Sequence, residues 1–417
     1  MTPRGLRANS VLALAGDAAS KLGALVVVLV GARALTVSDF AVLATALAIA
    51  GILTIALDLG VGTVITRDGA RSRVERGRLV AATLVARVPL FALVLVAAPL
   101  VGAAVGRTWT GLATALLAGA GAVTLTVLGC FRSCQDMRPE ALQRLVAGAL
   151  GTVAVIVVAR VSPDVDVLLL ALAAVGVLTI VPLALRIRVV ADVAWPAHSL
   201  EALRRAAPIG LLALATVAYY RSGTIVLAAL SSASATAAFA VASGIAFALL
   251  MLPNAVTTAL LPRLAASDTS DAVECTRRAL AWTTGLAAVV ACGSAIVVPA
   301  VLPIALGADY AAAGAPFVVL CLGIPVIAAS GIVGTALLSA GRVGVLGAQV
   351  GISLSVNIAC LFALVPLAGA VGAALATFAC ELVGLIFLLL SARTALPGLF
   401  RLPGRSGPAI EARPVAP

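Results

Sequence analysis

Residues 38–78 read SDFAVLATALAIAGILTIALDLGVGTVITRDGARSRVERGR. From Ser38 to Ile65 the only charges are Asp39 and Asp58. As a helix this run is long enough to cross a hydrocarbon core of about 30 Å. Arg67, Arg71, Arg73, Arg76 and Arg78 follow at once. The apolar residues are continuous and do not alternate, so the run reads as a helix and not as a barrel strand. In lipid a helix also satisfies its own backbone hydrogen bonds.

The same pattern fills the chain. Of 417 residues, 62% are hydrophobic and 11% charged, and mean hydropathy is +1.18. A water-soluble domain needs more polar surface than that. The reading predicts about twelve spans. The first six are Ser10 to Ala32, Ser38 to Ile65, Leu79 to Val105, Thr108 to Cys130, Leu145 to Val161 and Val165 to Leu185. The second six are Ala207 to Leu230, Ser234 to Leu261, Ala279 to Ala305, Ala313 to Leu338, Gly344 to Pro366 and Gly369 to Ser391. The first run carries Asp17 and Lys21 and is expected to be a retained helix, not a cleaved leader.

Charge fixes the expected orientation. Lys21, Arg87 and Arg221 fall within spans, and Arg33, Arg107 and Arg160 follow odd-numbered spans. All other basic residues lie in the termini or after even-numbered spans. That side is expected to be cytoplasmic, so that the chain lies in the plasma membrane with both termini in the cytoplasm. The same distribution accounts for the net charge of +11 without nucleic acid. Trp109 and Trp282 are expected at span ends, where an amphipathic ring is at home.

Three units are expected: a six-helix lobe over residues 1–190, a second over 191–392 entered through a cytoplasmic linker, and a disordered tail over 393–417. In the linker, Ser199 is placed to cap a short surface helix running to Arg205. Phe40-Ala41-Val42 opens the second span and Phe239-Ala240-Val241 the eighth, which suggests two lobes of the same direction.

Several chemistries lack their residues. There is no phosphate-binding GxxxxGK[ST] loop, no HExxH and no GxSxG. Gly119-Ala120-Gly121 lies inside a span and reads as packing. His198 is the only histidine, and the seven cysteines include no CxxC. No catalytic or metal site is therefore expected. The informative residues are the ionisable groups within spans: Asp17 and Lys21 in the first, Asp58 in the second, Arg87 in the third, Arg221 in the seventh and Glu381 in the twelfth. Asp17, Lys21, Asp58 and Arg87 lie at similar depth and are expected to share one polar pocket. Arg221 either faces a central cavity or pairs with Glu381. As a set the six either line a cavity or lock helices as ion pairs, and the default for intramembrane charge favours the cavity. Pro89, Pro99, Pro182, Pro253, Pro299, Pro303, Pro316 and Pro325 are each expected to bend a span.

Order and spacing of short motifs carry a resemblance. They are Leu57-Asp58-Leu59-Gly60, Tyr219-Tyr220-Arg221-Ser222-Gly223, Ala238-Phe239-Ala240-Val241-Ala242, Leu252-Pro253 and Leu261-Pro262-Arg263. Leu306-Gly307-Ala308-Asp309-Tyr310, Ala340-Gly341-Arg342, Asn357, and Pro366 to Ala374 with Glu381 continue the series. Together they resemble the polysaccharide exporters and lipid-linked oligosaccharide flippases of the multidrug/oligosaccharidyl-lipid/polysaccharide exporter superfamily. Phe239 stands where that family usually has tyrosine, and the acid it often keeps near Arg221 is missing.

The resemblance implies an all-α, MATE-like fold with two six-helix lobes in a V. It implies a secondary transporter, not an enzyme, that flips a polyprenyl-diphosphate-linked glycan between leaflets by alternating access. Arg221, Arg87 and Lys21 are the candidates to hold the diphosphate. Asp17, Asp58 and Glu381 are the candidates for ion coupling or for a structural polar pocket. No cofactor is implied beyond H⁺ or Na⁺ as coupling ion. The implied partners are the glycan lipid, the bilayer and glycan polymerases or glycosyltransferases. The competing readings are a cation/drug antiporter of the same superfamily, a membrane-embedded cell-wall assembly enzyme and a scaffold.

Overall fold

The computed structural model describes residues 3–70, 72–190, 199–265, 269–396 and 399. The described residues contain helices and no strand. The first half holds α1 (Pro3–Ala34), α2 (Val37–Asp58), α3 (Val61–Asp68), α4 (Arg73–Ala104), α5 (Thr108–Ser133), α6 (Arg138–Val161) and α7 (Val165–Val190). The second holds α8 (Ser199–Leu230), α9 (Ala233–Leu249), α10 (Met251–Ala265), α11 (Thr269–Leu306), α12 (Gly314–Ser339) and α13 (Val343–Ala395), with a 3-10 turn at Ala308–Ala313. Among the described residues, eleven helical stretches are long and apolar enough to cross a membrane.

One of them is two spans. α13 has 53 residues, about 80 Å of helix, against a hydrocarbon core of about 30 Å. Gly369 breaks it with φ 50° and ψ −125°, a conformation open to glycine. The chain turns back there: Asn357 Nδ2 lies 3.3 Å from Cys380 Sγ across the hairpin. The expected eleventh and twelfth spans are the two arms.

Each lobe is built around its fourth span. α5 packs on α2, α3, α4 and α7, and α12 packs on α9, α10, α11 and α13. Ala113, Ala115 and Ala118 of α5 and Phe317, Ile332 and Val333 of α12 have no exposed surface. Small residues let backbones touch, as lipid-embedded helices require. A Cβ on Gly23 of α1 would meet the Gly148 backbone of α6 at 2.9 Å.

The second span of each lobe is not one straight helix. Leu59 (φ 51°) and Gly60 (φ 76°) separate α2 from α3, and α9 gives way to α10 at Leu250. Pro253 and Pro316 fall in the first turns of α10 and α12, where no helix bond is lost to proline. Pro89, Pro99, Pro182, Pro299, Pro303 and Pro325 lie inside helices. The expected short surface helix from Ser199 is continuous with α8, which runs through Pro208. Residues 191–198, with Trp195 and His198, and all of the tail after Leu396 except Leu399 lie outside the described residues.

The lobes exchange contacts through their first helices. α8 packs against α2, α3 and α4, and α1 against α9. Near the basic end a Cβ on Gly60 would sit 2.4 Å from Gly210 N, so α8 rests backbone-on-backbone against the α2–α3 break. At the opposite end Val27 and Leu35 of α1 and Phe40 and Leu43 of α2 bury against Ala237 and Val241 of α9 and Tyr310. The Phe40 and Tyr310 rings meet edge-on at 6.0 Å. At that end the two lobes are in direct contact through α1, α2 and α9.

Candidate substrate-binding site

The first-lobe charges are partnered. Arg87 Nη2 lies 2.5 Å from Asp58 Oδ1. The same guanidinium donates to the Ala122 and Asp58 carbonyls at 3.0 Å and to Thr126 Oγ1. Asp58 also accepts from Gly62 N at 3.3 Å. Both side chains are 7% exposed. The pair ties α4 to α2 and α5, and Arg87, expected to meet substrate, is taken up by protein partners in this structure.

Asp17 and Lys21 belong to a different system. Lys21 Nζ is 2.8 Å from Asp17 Oδ2 and Arg144 Nη1 is 3.1 Å from Asp17 Oδ1. Arg144 reaches Glu140 at 2.8 Å, and Glu140 accepts both arms of Arg132 at 2.6 and 2.7 Å. This chain of five charges joins α1, α6 and α5. The four charges expected in one pocket fall into two ion-paired clusters, because α1 packs on α6 while α2 and α4 pack on α5, and the clusters adjoin where Arg132 comes within electrostatic reach of Asp58. The span limits read from sequence leave Arg132, Glu140 and Arg144 in a connection. Their signal is the Glu140–Arg144 spacing of four, which puts both on one helix face.

In the second lobe α8 carries Tyr219-Tyr220-Arg221-Ser222. Neighbours on a helix point about 100° apart, and the three large side chains take three directions. Tyr219 is buried in the second lobe, and its hydroxyl donates to Glu381 Oε1 at 2.5 Å. Tyr220 is 39% exposed, with its ring edge-on to Phe247 of α9 at 5.7 Å. Arg221 turns toward the first lobe, where its Nε lies 3.4 Å from the Cβ position of Gly51 on α2. Arg221 is exposed, and no described residue forms a hydrogen bond or ion pair with it. It lies about 14 Å from the α8 end at Leu230, by helical rise.

Glu381 does not pair with Arg221. Tyr219 occupies that place because it projects into the lobe and Arg221 projects out of it. Glu381 is buried and has no cation partner among the described residues. Around it, Cys380 donates to the Tyr219 hydroxyl at 3.3 Å and Ser222 donates to Asn357 Oδ1 at 3.1 Å. Glu381, Thr377, Phe378 and Phe247 also line a void of about 10 Å³, at the lower limit for one water. Tyr219 and Asn357 stand in the motifs, but nothing in sequence joins them to Glu381.

The sequence model of a family described as "Polysaccharide biosynthesis protein" matches residues 6–267. The chain belongs to that family. No curated protein matches it in sequence. Its fold is similar to that of solved transporters. "Lipid II flippase MurJ, inward closed conformation" superposes with TM-score 0.76 at 10% identity, covering 93% of this chain and 89% of that one. An inward-facing multidrug resistance MATE family transporter of the MOP superfamily gives 0.68 at 15% identity, covering 92% and 95%. A mutant form of the Vibrio cholerae MATE transporter VcmN gives 0.63 at 16% identity, covering 95% and 97%. These likenesses establish a MATE-like, multi-pass helical fold.

Proposed function

We propose that this member of the polysaccharide biosynthesis family is a flippase. It moves a polyprenyl-diphosphate-linked oligosaccharide or polysaccharide precursor across the cytoplasmic membrane by alternating access. The observation that carries the reading is Arg221: an intramembrane guanidinium without a counter-ion among the described residues, on the helix that touches both lobes. An unpaired cation in lipid is costly, and a substrate diphosphate would relieve the cost. Arginine suits the task because it stays charged and offers two parallel donors to a phosphate. The polyprenyl tail remains in hydrocarbon while the headgroup crosses. The basic end is taken as cytoplasmic, with residues 1–190 and 191–392 as the two moving lobes. No bond in the glycan is made or broken. Polymerases or glycosyltransferases supply and consume the lipid.

Of the three intramembrane acids, Asp17 and Asp58 have cation partners and Glu381 has none among the described residues. We assign coupling to Glu381, with H⁺ or Na⁺ as the ion. An unpartnered buried acid is also what a cation/drug antiporter would use. Reconstituted protein separates the two readings. The flippase reading expects lipid-linked glycan to reach the opposite leaflet and Arg221→Ala to slow it strongly at normal protein level. Cationic dye efflux without glycan movement would replace that reading with the antiporter.

A further inference from the structure

A groove of about 740 Å³ runs between α10 and α11 in the second lobe. Its α11 wall is one helical stripe: Asp271, Glu274, Arg278, Trp282, Leu286 and Val290. The wall from α10 reads Arg263, Leu260, Val256 and Leu252 in the same direction. Both walls pass from charge at the basic end to aliphatic side chains deeper in, with Trp282 between, 81% exposed. α11 has 38 residues, about 57 Å, so it projects past a hydrocarbon core of about 30 Å. Its apolar residues continue to Leu306, and the projecting end is therefore the charged one. Arg278 bends back toward that end, its Nε 2.8 Å from Glu274 Oε1, as a snorkelling side chain does. Depth along the groove thus follows the depth profile of one lipid leaflet: headgroup, interface, chain.

We propose that this groove holds one phospholipid with an amine headgroup, its phosphate at Arg278, which shares the single acid Glu274 with Arg277, its ammonium at Asp271 and a chain along Leu286 and Val256. The charges at the mouth select this occupant. Glu274 already takes Arg277 and Arg278, and Asp271 has no ion pair among the described residues. A mouth presenting both signs suits a zwitterion. A polyprenyl diphosphate would call for a larger excess of cation. The inference does not rest on the flippase reading, since the groove opens to lipid whatever is transported.

Trp282 provides the probe. Full-length protein with Trp109 and Trp195 replaced by Phe is reconstituted with chain-brominated phosphatidylethanolamine, phosphatidylcholine or phosphatidylglycerol. Phosphatidylethanolamine should quench Trp282 about twofold more than phosphatidylcholine at equal mole fraction, the scale of one exposed ion pair. Asp271→Asn should remove that preference, and Arg278→Gln should weaken quenching by every phospholipid. A variant keeping Trp109 alone, at the opposite end, should show no preference. Equal quenching by the three lipids would overturn the proposal. Stronger quenching by phosphatidylglycerol would also overturn it, as would displacement of the brominated lipid by traces of a polyprenyl diphosphate. The comparison among lipids needs no substitution at the mouth, so it decides even if a mouth variant fails to fold.

Discussion

The two lobes share a plan and treat charge in opposite ways. Each is centred on its fourth span and each breaks its second. In the first lobe every intramembrane charge has a counter-ion: Asp58 with Arg87, and Lys21 and Arg144 with Asp17. In the second, Arg221 and Glu381 have none among the described residues. Burying a charge costs less when a partner is fixed beside it, so the first lobe gains a rigid wall. The second keeps an exposed cation facing the first lobe and a buried acid inside. Intramembrane charges therefore cannot be assigned to function by depth alone. Their partners decide.

That contrast can be broken most strongly at Asp58 and Arg87. Arg87→Ala leaves a buried carboxylate alone and should cost about 3–5 kcal/mol, read as lost folded protein and a lower Tm in detergent. Replacing both, Asp58→Asn with Arg87→Met, should recover much of that loss. A stable, transport-dead Arg87→Ala protein would instead move Arg87 into the substrate site.

Arg221→Ala tests the other side. Its Tm should hold while glycan translocation falls roughly ten- to hundredfold, the scale of a charge-assisted hydrogen bond. Arg221→Lys should fall between, because lysine keeps the charge and loses the fork. Normal translocation in Arg221→Ala and Arg221→Glu would end its role.

Glu381→Gln keeps the shape and the Tyr219 contact but cannot take up a proton or offer a full charge to Na⁺. It should leave translocation under no gradient within about twofold of the parent and abolish the response to an imposed H⁺ or Na⁺ gradient. An intact response would place coupling elsewhere.

The smallest effect is expected at Asp17, whose side chain is 43% exposed. Asp17→Asn should cost less than about 1 kcal/mol and leave the gradient response unchanged. A lost response with the protein still folded would transfer coupling from the second lobe to the first.

The membrane class, the order of the spans and the six intramembrane charges are all legible in the amino-acid sequence. A bilayer demands runs of fixed length and tolerates few charges, and both demands are local. The hairpin in α13 is legible for the same reason, since 53 helical residues cannot cross once. Helix ends are legible less well: α11 begins at Thr269, ten residues before the expected start at Ala279. The amphipathic turns outside hydrocarbon lack an apolar signal. Pairing is another matter, and it emerges from the folded packing alone. Asp17 meets Arg144 across 127 residues and Tyr219 meets Glu381 across 162. Ala, Gly and Val surfaces of similar shape permit many helix neighbours and rotations. Which charge finds a partner, and which is left without one, is set by packing between helices far apart in sequence.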